Sequence, residues 1–488
     1  MTKNIFGLSG KHLKVFYSVF VCLVFSNLCF AQKKISKEDM TEDFRKLKNQ
    51  LEKLHQGLYF YETRGDFESR YAEIIHNLPD SLDQLQAYFA LNKLIVGMKD
   101  LHTSVFFPSK IVAKEKNKTL PMVVRSNSGK FYIHLNGSTD STILRGQELI
   151  SVDKKPVAEI MELSKDFWGT DIGNQNSKKY YSERYLGRNI SRLYGFKDSL
   201  TLELRHPQKD SIYYRKIATE LAKTSSKIMA KRYKNINRKN LSLKIVDSLN
   251  HVAMMDVLSF TEKGSKLDFH NFKFKRLLKR NFKEIEKNNI QHLVVDFRFN
   301  GGGLIANTKR ITKYVAQEPF SLADSVKLTN AAFKRIFPPV VFTNYIIGRM
   351  IFKKQADGSF LKLTKRSIKP TKKYHYGGKI YVLTDGGSYS ATTLTIGLWN
   401  DMNRATFVGN TPGGANWGSF AGQWKDLKLK NSKIKVHIPL MKLVHAHPHQ
   451  TNRTFFVEPD YYVEQSFDDF SKRKDAQLNF VLDLIKNK

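Results

Sequence analysis

A chain of 488 residues with 41% hydrophobic and 12% aromatic content holds too much apolar material for a disordered polymer and enough for two or three domains. Its formal net charge of +36 creates a field that attracts polyanions, so acidic polymers or an anionic cell surface are candidate partners. Zinc-finger spacing, a helix-turn-helix and an aromatic-interleaved RNP pattern are all missing, which excludes a recognisable module for specific nucleic-acid reading.

Lys3, Lys11 and Lys14 precede an apolar run over 15–30, and Ala31 follows. A basic start, an apolar stretch and a small residue describe a secretory signal peptide over 1–31. Export to the periplasm, the outer-membrane surface or the medium is expected. Lipidation of Cys29 is the weaker reading, because Leu28 is bulky for such a site. Cys22 and Cys29 are the two cysteines, so the mature chain has no disulfide, no thiolate nucleophile and no cysteine metal site. Loss of the three lysines leaves a charge of +33.

Residues 32–118 are predicted helical. Met40, Phe44, Leu47, Leu51 and Leu54 recur at three and four, and a second pattern holds Phe67, Tyr71 and Ile74. A third begins after Asp80-Ser81 as a cap and ends at Gly97, where the chain turns extended as Leu101-His102-Thr103. His102 beside aromatic residues reads, on position alone, as a partly buried structural histidine.

A β-rich module is predicted over 119–210. Its run Gly146-Gln147-Glu148-Leu149-Ile150-Ser151-Val152, followed by a turn and Pro156-Val157, resembles the centre of a PDZ domain, a fold that binds extended peptides by strand addition. Residues 211–250 are dense in lysine and arginine and read as a basic connector. From 251 to 488 a denser α/β pattern follows. Within it, residues 335–375 form a candidate insertion or lid, with an ordinary surface excursion as the plainer reading.

Lys379 to Leu383 reads as a buried strand, Asp385-Gly386-Gly387 as a tight loop, and Ala391, Leu394, Leu398 and Met402 as one side of a helix. Ser390 therefore sits where a strand turns into a helix. Unpaired N–H groups at a helix start stabilise anions, as attack on a carbonyl requires. A helix-capping serine fits the same position. His445, His447 and His449 alternate, which would put them on one face of a strand. Pro448 interrupts it and no further ligand is spaced to complete a site. No metal and no cofactor are expected.

Asp296-Phe297-Arg298-Phe299-Asn300-Gly301-Gly302-Gly303, Gly387-Ser388-Tyr389-Ser390-Ala391, Gly409-Asn410-Thr411-Pro412-Gly413-Gly414 and Glu458-Pro459-Asp460 come in an order and spacing that resemble the S41-type, or C-terminal processing, serine peptidases. The resemblance implies an α/β fold with a ClpP/crotonase-like core, a helical N-terminal region and a PDZ-like insert. It puts the nucleophile on Ser390 and the oxyanion hole on the N–H groups of Gly302 or Gly303 and of Ala391. Where the tail-specific branch carries a lysine base, this chain has Ala415. The tricorn-core-like branch instead uses a histidine in a D-x-H-T pattern, matched here by Asp100-Leu101-His102-Thr103. His102 becomes the implied base, with Glu458, then Asp100, as the acid that orients it. The implied function is a secreted serine endopeptidase acting on polypeptides. Thr392-Thr393 and Ala415 also depart from the family pattern. They keep open a peptide-binding protein without catalysis, and the charge keeps open a basic protein that binds acidic polymers.

Overall fold

The computed structural model describes residues 34–108, 117–206, 211–233, 238–265, 268–364, 367–447 and 455–487. The expected signal peptide and both cysteines lie outside these residues, as does His449.

The centre is a six-stranded sheet in the order Ser242–Asp247, Val252–Asp256, His292–Asp296, Lys379–Thr384, Thr406–Gly409, Tyr461–Tyr462. Only the first pair is antiparallel; the other four pairings are parallel. Successive side chains of a strand point to opposite faces, and a parallel sheet must have both covered. Ala253, Met255, Leu293, Val295, Ile380 and Val382 accordingly pack under the helices Phe272–Lys287, Ile305–Val315 and Ala391–Asp401. Their neighbours Val252, Met254, Val294, Tyr381 and Leu383 pack against Val481 and Ile485 of the C-terminal helix Ala476–Lys486. The runs read as continuously apolar because both faces are buried.

Asp256, Asp296 and Leu383 are in register at the strands' C-terminal ends. Crevices outside such ends are where α/β sheets bind ligands. Two arginines hold this edge. Arg238 bridges Asp256 and Asp296 at 2.7 and 2.8 Å, and Arg298 bridges Asp296 and Asp475 at 2.6 and 2.7 Å.

A second sheet contains Lys353–Lys354, Phe360–Leu363, Ala323–Leu328, Lys435–His445 and Gly418–Lys428, in that order. The N-terminal helices Lys37–Leu54, Arg64–His76 and Gln84–Val96 share one core with it: Phe44, Leu47 and Leu91 pack together with Val436, Ile438 and Phe360. The short strand Ser104–Val105 pairs with His437 and Val436 and so joins the same sheet. The helical region expected over 32–118 thus packs on this second sheet. Asp83, two residues later than the expected cap, closes a capping box with Gln86 on the third helix.

The module over 119–206 holds the antiparallel strands Met122–Asn127, Lys130–Asn136, Glu148–Val152 and Ser199–Arg205. The helices Val157–Lys165, Gln175–Arg184 and Leu186–Tyr194 lie between the last two. Residues 211–250, expected as a basic connector, hold regular elements. Ile212–Ala218 pairs with Ser199–Arg205 as an edge strand, Ala222–Arg232 is a helix, and Ser242–Asp247 belongs to the central sheet. Its basic residues hid the alternation because an edge strand leaves much of its surface to solvent.

Part of the candidate lid over 335–375 packs against the N-terminal helices through Phe352 and Phe360. Ala332 and Phe333 of the helix Asn330–Ile336, with Phe352, join the core formed by the helix Lys37–Leu54, and none of the described hydrogen bonds from residues 335–375 reaches Ser390 or His102.

Arg298→Ala would leave Asp296, whose side chain is fully buried, short of one of its two cations. A loss of about 3 kcal/mol in urea unfolding is expected; a loss under about 1 kcal/mol would mean that Arg238 alone neutralises this edge.

Candidate active site

Ser390 stands at φ 62°, ψ −124°, immediately before the helix Ala391–Asp401, and its side chain makes no capping hydrogen bond. This backbone region is costly for any residue but glycine and persists only where its surroundings hold it. A capping serine would adopt extended backbone angles and accept from an N–H of the first turn. Instead, Ser390 Oγ lies 3.2 Å from Nε2 of His102.

The turn is held by its neighbours. Ser388 is fully buried, and its hydroxyl is 2.9 Å from the Phe297 carbonyl, to which it donates. Asp385 Oδ1 accepts from the N–H groups of Phe299 and Gly387 at 2.9 and 3.0 Å, and burial pushes its carboxyl up from the ordinary value. The Asn300 carbonyl accepts from Tyr389 N–H at 3.2 Å and from the Thr392 hydroxyl at 2.9 Å. Thr392 thereby ties the helix start to the glycine loop, which gives one family departure a structural role. Thr393 is buried beside it.

Gly302 abuts the serine. A Cβ on it would stand 2.8 Å from Ser390 Cβ and 2.9 Å from Ala391 N, and its φ is +92°. Its N–H donates to Asn300 Oδ1 at 2.9 Å. The N–H groups of Gly303 and Ala391 have no protein acceptor among the described residues.

The His102 side chain is largely buried, at 11% exposure. Its main-chain N–H donates to Asp100 Oδ1 at 3.0 Å, while its Nδ1 is 4.0 Å from the same oxygen, beyond hydrogen-bond length. Asp100 is fully enclosed. Its Oδ2 faces His55 Nε2 at 3.1 Å and accepts from the Thr103 hydroxyl. His55 Nδ1 accepts from Gly57 N–H at 3.1 Å, which leaves the ring proton on Nε2, pointed at Asp100. Burial works to raise the Asp100 carboxyl, but the His55 hydrogen bond and the His55 and His102 rings hold it below the ordinary value.

A second buried carboxylate completes this cluster. One ligand atom each of Asp100, His102 and Asp171 lies within 4.8 Å of the others. Asp171 accepts from Leu101 N–H at 2.9 Å and from Ala415 N–H at 3.1 Å. Burial pushes its carboxyl up to about 6, with Asp100 adding to the rise and His102 opposing it. The position that lacks the lysine thus supplies a main-chain donor to a carboxylate beside the histidine.

Glu458 is corrected as the orienting acid. It is exposed, and its Oε2 accepts from the hydroxyls of Thr411, at 2.6 Å, and Tyr462; it has no bond to His102. Asp460 of the same run accepts from Phe407 N–H at 2.7 Å, so this element ties down the strand Thr406–Gly409. Asp171 and His55 escaped the sequence reading. Asp171 sits in an aperiodic run between Gly169 and Gly173, and His55 reads as the end of a helix. His445 and His447 are buried, each facing the Asn416 carbonyl, at 3.1 and 2.9 Å.

A serine on a strained turn, an imidazole at its hydroxyl and carboxylates behind the imidazole can perform nucleophilic acyl transfer. The comparisons agree on the class. Residues 251–463 match the family model described as Peptidase family S41, so this part of the chain is similar to the S41 serine peptidases. Its fold is similar to that of mature CPAF, at TM-score 0.64 and 15% identity, covering 93% of this chain and 98% of that one. Mature CPAF complexed with lactacystin gives TM-score 0.64 and 15% identity over 93% and 99% of the two chains. No curated protein matches the sequence.

Two substitutions check this geometry. Gly302→Ala is expected to lower peptidase activity about 100-fold or more by displacing the serine, with circular dichroism unchanged; near-normal activity would show that the turn tolerates a side chain. For Asp171 the folded chain keeps a proton that the unfolded chain has lost between about pH 4 and 6, so stability falls as pH rises through that window. Asp171→Asn removes the fall, and its stability relative to wild type should climb from pH 4 to 7 by up to about 3 kcal/mol. Parallel curves of unfolding free energy against pH would contradict this.

Proposed function

We propose that the protein is an exported serine endopeptidase in which Ser390 is the nucleophile and His102 its base. The observation that carries this reading is the 3.2 Å approach of His102 Nε2 to Ser390 Oγ across 288 positions of sequence. Ser390 Oγ attacks the peptide carbonyl carbon as its proton passes to His102 Nε2. The carbonyl oxygen becomes an anion, met by Ala391 N–H at the helix start and by Gly303 N–H, with Gly302 giving the substrate room. When the C–N bond breaks, the amine leaves with the proton from Nε2, and an acyl ester remains on Ser390. Water then releases the acid by the same proton transfers.

Asp100 and Asp171 are positioning residues: their negative charge steadies the imidazolium that forms. His55 and Thr103 hold Asp100. The substrates are polypeptides, and the PDZ-like reading of 119–210 offers a sheet edge to an extended chain. Export rests on the basic and apolar pattern of residues 1–31.

The test is labelling by a fluorophosphonate probe followed by a peptidase assay. Wild type should label once, Ser390→Ala not at all, and His102→Ala should lose about 10⁴-fold in kcat. Glu458→Gln should keep most activity. Labelling that persists in Ser390→Ala would put the nucleophile on another residue, and no labelling in wild type would leave a peptide-binding protein without catalysis.

A further inference from the structure

The helix Phe342–Ile351 presents apolar side chains to solvent that no described residue covers. Phe342 and Met350 are 72% and 79% exposed and Val340, just ahead, is 93% exposed; Ile346, Ile347 and Ile351 are exposed beside them. The helix is fastened from its other side. Gly348 is buried against Phe337, and Tyr345 packs edge-on to Phe333. Isolated exposed apolar residues are ordinary, but a cluster of six on one short segment marks a contact surface.

Charge says what the surface meets. Between Lys334 and Lys373 the sequence has eleven lysines and arginines and one acid, Asp357. That acid is taken up by Lys327 at 2.8 Å. Lys334, Arg335, Arg349, Lys353 and Lys354 around the helix are exposed. A second copy of the chain would bring the same basic rim and be repelled. An acidic polymer would pair with the rim and leave Phe342 and Met350 in water. An anionic lipid surface satisfies both, because headgroups meet the lysines and acyl chains meet the apolar side chains. The helix has 10 residues, and no described helix is long and apolar enough to cross a membrane, so it lies in the interface.

We propose that the segment from Val340 to Lys354 docks the folded protein on an anionic lipid surface, with Phe342 and Met350 inserted among the acyl chains and the surrounding lysines and arginines on the headgroups. The inference is independent of the peptidase mechanism.

Co-sedimentation of the whole protein with vesicles tests it. Vesicles of phosphatidylglycerol and phosphatidylcholine should bind the protein, and pure phosphatidylcholine should not. The double variant Phe342→Ser, Met350→Ser should weaken binding to the anionic vesicles by about tenfold or more. Lys353→Glu with Lys354→Glu should weaken it by a similar factor. Both variants alter exposed side chains, and unchanged thermal unfolding would confirm that each is folded. Equal binding to both vesicle types would overturn the proposal. So would anionic binding insensitive to the apolar variant, which would leave only general charge attraction. A halved mass in light scattering for the apolar variant, with vesicle binding unchanged, would overturn it in favour of a second copy.

Discussion

One distance governs the molecule: a histidine near the start of the chain must stay within hydrogen-bond reach of a serine 288 positions later. No local structure can enforce that, so the whole N-terminal region is built into the core. The pairing of Ser104–Val105 with Val436 and His437 fixes the register of the strand next to the histidine. Asp43, buried on the first helix, accepts from the main-chain N–H groups of Asn431 and Ser432 at 3.0 and 2.7 Å. Asp171 reaches Leu101 on one side and Ala415 on the other. Apart from the 70-residue span between Asp171 and Leu101, each tie joins segments hundreds of residues apart, and each uses main-chain donors, whose positions vary less than side chains.

The serine imposes the second constraint. Its backbone angles are unfavourable, and the penalty of about 1–3 kcal/mol for such a residue is offset by hydrogen bonds to its neighbours. Asn300 and Asp385 each accept from more than one segment, so the glycine loop and the serine turn behave as one unit. Arg298 anchors that unit to the sheet edge through Asp296 and to the C-terminal helix through Asp475. The buried charges lie where two loops must be held still.

Much of this was legible in the sequence, and the reasons for the exceptions are physical. Buried strands and the serine-bearing junction announce themselves through apolar runs and glycines, because both faces of the sheet are covered. A capping serine and a nucleophile share the same local pattern, and only the fold shows that Ser390 makes no capping hydrogen bond and lies 3.2 Å from His102 Nε2. His102 was visible only through a family pattern, since its role depends on a packing contact that leaves no periodic trace. Glu458 had the right residue type in a matching motif, yet here the hydroxyls of Thr411 and Tyr462 occupy it. Asp171 could not be found: nothing in an aperiodic loop says that it folds back beside the histidine. The edge strand within 211–250 was hidden by Arg215 and Lys216, which solvent tolerates on an outer strand.

In the proposed mechanism, the ties through Asp43, Ser104–Val105 and Asp171 also decide when reactivity begins. The base and its carboxylates come from residues before 175, whereas the serine and the sheet that receives the histidine come from residues after 290. A partly made or cleaved copy that lacks either half holds a serine without a base or a base without a serine. The fold thus acts as its own safety catch, arming only once both halves have met.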